Sequence, residues 1–217
     1  MRNVAGPGFA VADLHPVGTA LTDWKRSGAR TLTLALPVPG DVRGMAGEPS
    51  FRDVALRSGQ AVFGADTGVT CELGPKTPSS AARELRWHRS VISGRVPDYI
   101  GLTDAEHDLT EAIRETASEF ARRGTESWMS DIASALSDAR RAGERLHLPS
   151  SHPARAVRVI AQAERLAAVL EVVDADTSGE VNAAGMRERA SALRPLRVAV
   201  RRALIAGYNA DVDVAAS

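Results

Sequence analysis

Residues 152–209 constrain the fold of this chain more than any other stretch. They read HPARAVRVIAQAERLAAVLEVV, turn at DADTSGEVN and return as MRERASALRPLRVAVRRALIAGYN. Val159, Ala163, Leu166, Leu170 and Val173 recur at alternating steps of four and three, which sets them on one stripe of an α-helix. Leu193, Leu196, Val200 and Leu204 do the same on the returning arm. Two long helices joined by a short polar turn pack antiparallel. The spacing therefore predicts a helical hairpin, with Leu166 and Leu170 in its seam and the rest of the chain built against it. Pro153 suits the first turn of the first arm. Pro195 removes a backbone donor and crowds the preceding turn, so it predicts a kink or a restart in the second.

Two further helices are predicted upstream. Thr103-Asp-Ala-Glu106 reads as a capping box, opening a helix to about Arg123 with Leu109, Ala112, Ile113, Thr116, Ala117 and Phe120 on one face. A second runs from about Thr125 to Ala142 with Trp128, Ile132, Ala135 and Leu136 inward. The first hundred residues read differently. Leu14, Val17, Leu21 and Trp24 fall at helical spacing after Asp13, a candidate cap, and Gly28 is a candidate stop. TLTLALP, at 31–37, alternates with the period of a strand and leads into a Gly- and Pro-rich loop over 37–49. Phe51, Val54, Ala55 and Ser58 share the face of a short helix. QAVFG and VTCEL read as strands joined by a turn at ADTG, GPKTPSS is a second turn, and RELRWHRS alternates again. On that last strand Leu85 and Trp87 share one face, and Glu84, Arg86 and His88 form a polar outer face. The fold class is α+β: a small, mostly antiparallel sheet in residues 1–100, then about four helices packed as a bundle in 101–217. No linker is long enough to separate the two, so one compact unit is expected.

Charge and cysteine content limit the functional classes. The chain carries 27 basic and 27 acidic residues. That balance argues against a generic nucleic-acid or membrane-surface binder. Cys71 has no partner for an internal disulfide, the N-terminus lacks a continuous apolar run of the secretory type, and no apolar run approaches the roughly 20 residues that span a bilayer. A cytoplasmic setting is the expectation.

Candidate sites are few. The 37–49 loop leaves the end of a strand and carries Asp41 and Arg43, so it could hold an anion on backbone N–H groups and the guanidinium. It matches neither GxxxxGK[ST] nor GxGxxG. His88 beside Glu84 and Arg86 could act as a base or a ligand contact. The other histidines lack metal-ligand spacing, and no serine sits in a GxSxG elbow. The loop from Asp174 opens like an EF-hand, with oxygen donors at positions one, three, five and nine, but Gly185 stands where the bidentate glutamate belongs. No metal and no cofactor are expected, and no catalytic motif decides whether the chain is an enzyme.

The hairpin arginines form two rows, Arg155, Arg158 and Arg165 on the first arm and Arg194, Arg197 and Arg201 on the second. They could contact an anion or a partner. Arg155 and Arg158 lie at the positive end of their helix dipole and Glu171 and Asp174 at the negative end, each an unfavourable placement. A carboxylate of the protein itself or of a second copy is expected to offset the arginines.

LALPVPGDVRG, HPARAVRVIAQAERL and the closing LRPL…AGYN resemble a group of uncharacterised actinobacterial proteins. The resemblance implies no activity and no site residues. The leading expectation is a binding, scaffold or regulatory protein working through contacts with a protein partner or a second copy, with nucleic acid and membrane set aside. The alternative is a small-ligand binder or enzyme with its site at the 37–49 loop.

Overall fold

A computed structural model describes residues 15–29, 31–64, 66–74, 85–93, 100–123, 148–175 and 183–210. The chain divides into two compact units, 1–99 and 100–217. The predicted helix at 125–142, the turn at 75–80, Asp13, Glu84 and the EF-hand-like loop after Ala175 lie outside the described residues.

The first unit contains α1 (His15–Arg26), β1 (Thr33–Ala35), α2 (Pro49–Ser58), β2 (Ala61–Phe63), β3 (Thr67–Leu73) and β4 (Leu85–Val91). The strands form one antiparallel sheet in the order β1-β2-β3-β4. Pro49 suits the start of α2, where its missing N–H has no intrahelical partner, and Gly59, left-handed at φ 72°, ends it. The buried face of α2 is Phe51, Val54 and Ala55, as the spacing predicts. It covers one face of the sheet, where Phe51 meets Phe63 edge to face at 6.1 Å. Trp24 of α1 packs on the other face against Val69 and Trp87. Its indole N–H donates to the Thr67 carbonyl at 2.9 Å. Leu21, at α1's predicted apolar spacing, is instead 42% exposed.

Register corrects two expectations. Thr67 and Gly68, assigned to the ADTG turn, belong to β3: Gly68 pairs with Phe63 and Ser90. The backbone turns earlier, where the Gly64 N–H donates to the Thr67 carbonyl at 2.9 Å. The His88 side of β4 is also not a uniform outer face. Ser90, two residues on and on the same side, is buried, whereas Val91 on the Trp87 side is 75% exposed. Ser90 lies beside Gly47 and Glu48 of the 37–49 loop, so alternation alone does not identify the wet side.

The second unit contains α3 (Leu102–Arg123), α4 (Ala154–Ala175) and α5 (Ala183–Tyr208). The hairpin is present, and α5 packs on α3 as extensively as on α4. Val159, Ala163, Leu170 and Val173 of α4 and Leu193, Leu196 and Val200 of α5 are buried, joined by Leu109 and Ala112 of α3. Leu166 and Leu204, predicted on the same stripes, are only partly buried. The α5 helix runs unbroken through Pro195. Pro195 itself is exposed. The capping box is displaced as well: α3 opens at Leu102, with the Ala105 N–H donating to the Gly101 carbonyl at 2.9 Å, so Thr103 lies in the first turn.

At the far end of α5 the Tyr208 hydroxyl donates to Glu164 Oε1 at 3.3 Å. Burial, then the Glu164 charge and then this bond push the phenol from 10.0 up to about 12. The folded state thus holds the proton more tightly than the unfolded chain. Its contribution is fully present below pH 10 and is lost as pH rises towards 12. In a Tyr99→Phe background, alkaline absorbance titration should place the phenolate midpoint near 12, and Glu164→Gln should lower it. A midpoint at the free-tyrosine value in both would refute the coupling.

Candidate functional site

The 37–49 loop is a folded chain of turns. Val38 and Asp41 exchange both backbone hydrogen bonds, at 3.0 and 2.9 Å, around Pro39-Gly40. Gly40 has φ 87°, as the third position of a type II turn requires. Asp41 accepts from Arg43 Nε at 2.9 Å and from Nη2 at 2.8 Å. The guanidinium expected to hold an anion is thus engaged by its own neighbour. The loop reaches β4 through Glu48, whose N–H donates to Ser90 Oγ at 3.5 Å.

The β3–β4 pair gathers more of the predicted residues. Thr70 lies opposite His88 and Glu72 opposite Arg86, all on the α2 side of the sheet. Glu72 Oε1 is 3.2 Å from His88 Nε2, and Oε2 is 3.7 Å from Arg57 Nη2 of α2. Thr70 and Ser58 share a hydroxyl hydrogen bond of 2.8 Å beside them. The carboxylate partner of His88 seen here is therefore Glu72, on the neighbouring strand, which sequence reasoning missed. Its only signal is the register, which fixes the side of β3 that Glu72 takes once β4 is aligned. On the opposite face Asp23 of α1 plays the same part, accepting from Arg26 at 2.9 Å and Arg89 at 2.7 Å. Cys71 lies on that face too. Burial pushes its thiol up, and a hydrogen bond from Gln60 Nε2 partly opposes this, which leaves it a weak nucleophile.

The backbone of β4 has a direction of its own. The Ile92 N–H donates to the Asp66 carbonyl at 2.8 Å, which marks that pair as hydrogen-bonded. Antiparallel pairs alternate, so His88 and Ser90 bond to β3, while Trp87, Arg89 and Val91 turn their N–H and C=O groups to the open edge. Among the described residues no strand pairs with that edge, and the Val91 carbonyl accepts from Ser90 Oγ at 3.1 Å. The β1 side differs: Thr33, Leu34 and Leu36 engage further partners.

Carboxylates divide the arginine rows of the helical unit. Arg155 donates to Glu106 of α3 from Nε at 2.8 Å and from Nη2 at 2.7 Å, which supplies the internal carboxylate expected for the reversed dipole. Arg197 holds both oxygens of Asp174, and Arg201 has further interactions. Arg158, Arg165 and Arg194 make no ion pair among the described residues. Two open grooves lie between α3 and α5, of about 620 Å³ and 370 Å³. Both include Glu111, Glu115 and Pro195, with Arg122 at one end and Arg202 at the other. Among the described residues no three His, Cys, Asp or Glu side chains converge as metal ligands, and no helix is long and apolar enough to cross a membrane.

The N-terminal domain model of the Rv1486c-like proteins matches residues 3–99, and the C-terminal domain model matches residues 103–205. The junction of the two models falls where the two compact units meet. The uncharacterized protein Rv1486c of Mycobacterium tuberculosis is 31% identical over 236 aligned residues, covering 94% of this chain and 80% of its own. The uncharacterized protein ML1804 of Mycobacterium leprae is 30% identical over 203 residues, covering 83% of this chain and 68% of its own. No solved structure gives a significant match.

Proposed function

The chain belongs to the family of Rv1486c-like proteins, and from that premise we propose that it works by binding a protein partner, an extended segment of which adds to its sheet beside β4. The observation that carries this reading is the outer edge of β4, with which no strand among the described residues pairs. The outward N–H and C=O groups of Trp87 and Arg89, with the Val91 N–H, are spaced to receive a fifth strand. The small-ligand alternative at Asp41 and Arg43 would first have to separate an ion pair that uses both carboxylate oxygens. A reducing, cytoplasmic setting accords with a single cysteine, Cys71, which has no partner for an internal disulfide.

Val91→Pro tests the reading. The Val91 N–H points away from β3, so proline there removes a donor from the open edge and none from the ladder. The variant should melt close to wild type. In hydrogen exchange of the free protein, the Trp87, Arg89 and Val91 amides should exchange fast and those of His88 and Ser90 slowly. Proteins recovered with the tagged wild type from a mycobacterial lysate should be lost with Val91→Pro. Equal recovery on both baits, or slow exchange at all five amides, would remove the edge from the argument.

A further inference from the structure

We infer that the segment received by β4 is acidic. This rests on the strand-addition reading above and assigns the chemistry of the partner. Among the described residues, each face beside the edge strand holds a carboxylate shared by two basic groups. On the α2 face, Glu72 lies between His88 at 3.2 Å and Arg57 at 3.7 Å. On the α1 face, Asp23 lies between Arg89 at 2.7 Å and Arg26 at 2.9 Å. A single carboxylate cannot neutralise two cations, so the α1 side keeps an excess of positive charge. Arg57 is the most loosely held of the four: its distance exceeds a hydrogen bond and its side chain is 62% exposed.

The β4 sequence adds a selection against self-pairing. Two copies of β4 paired antiparallel along this edge would set Arg86 opposite His88 in the register centred on Trp87, or Arg89 opposite its own counterpart in the register centred on Arg89, and like charges directly opposite one another destabilise a pair. A strand that alternates carboxylates with small or β-branched residues meets cations on both faces instead. Its backbone completes the outward groups of Trp87, Arg89 and Val91. Hydrogen bonds along the edge give the affinity, and the excess cation of the α1 face with the loosely held Arg57 of the α2 face selects the charge.

The test uses the full chain and two blocked peptides of the length of β4, one alternating glutamate with threonine and one alternating lysine with threonine. Binding is followed by tryptophan fluorescence and by calorimetry. The glutamate peptide should bind saturably and the lysine peptide should not. Its affinity should fall about threefold or more between low and moderately high salt, because the contacts are partly exposed. Arg57→Gln should weaken it about threefold or more; the exposed side chain makes that variant safe for the fold. Val91→Pro should abolish it. Equal binding of the two peptides, no binding of either at millimolar concentration, or undiminished binding to Arg57→Gln would each overturn the assignment. So would undiminished binding to Val91→Pro. If Val91→Pro loses partner proteins from the lysate while the glutamate peptide fails to bind, strand addition stands and the acidic assignment alone falls.

Discussion

Leu170→Ala is expected to lower stability by roughly 2–5 kcal/mol, while Leu166→Ala costs well under half of that. Both leucines sit on the apolar stripe of α4, four residues apart, and by sequence they look equivalent. In the structure Leu170 is 5% exposed and belongs to the shared core with Leu193 and Leu196, whereas Leu166 is only partly buried against its margin. Truncating a side chain that is closed in on all sides loses the transfer term and leaves a cavity; truncating one at the margin lets solvent or neighbours fill the gap. Denaturant unfolding of the two variants with equal slopes would measure the difference directly. Equal midpoints would mean that the seam does not run where the structure places it. A third variant, Leu109→Ala in α3, should behave like Leu170→Ala, since Leu109 is among the most completely buried side chains. That result would establish that three helices share one core.

The outcome bears on what the sequence reveals. Helical period alone identified α4 and α5, because an apolar residue every three or four positions has one physical meaning in a helix of this length. It also located α2, where Phe51, Val54 and Ala55 fall on one face. Period cannot count neighbours. The α5 helix packs on two partners, and much of what it buries is alanine: Ala199, Ala203 and Ala206. Such small residues do not stand out as a stripe beside Leu193 and Leu196, so the second contact surface of α5 was hidden. Strand period has a similar limit. It aligned Arg86 with His88 on one side of β4, which the register upholds. Their carboxylate neighbour came from β3, and no local pattern reports which residue of another strand lies opposite. The open edge of β4 was illegible for the same reason, since the direction of each N–H depends on which pairs in the ladder are hydrogen-bonded. Pro195 shows the reverse case. A local rule predicted a kink or a restart, and the helix does not restart: it continues through Pro195 from Ala183 to Tyr208.

Gly207 gives the sharpest test of that packing. A Cβ built at Gly207 would lie 2.5 Å from Ile160 Cγ1 and 3.6 Å from the Ala156 carbonyl oxygen. On propensity alone, Gly207→Ala should stabilise, because alanine in a helix is favoured over glycine by about 0.5–1 kcal/mol. Overpacking acts in the other direction and typically costs about 1–3 kcal/mol. The steric effect should win, because Ile160 is fully buried and Ala156 beneath it is equally closed in, so neither can retreat into solvent. Gly207→Ala is therefore expected to destabilise the protein, and Ile160→Ala alone should cost roughly 2–5 kcal/mol. Combined, the two substitutions are complementary: the new methyl group at 207 enters the space that Ile160 vacates. The double variant should be more stable than the sum of the two single effects predicts, by about 1–2 kcal/mol, within the range that residues in contact show. Additive effects in that cycle, or a stabilising Gly207→Ala, would mean that α4 and α5 are not in close contact at this point.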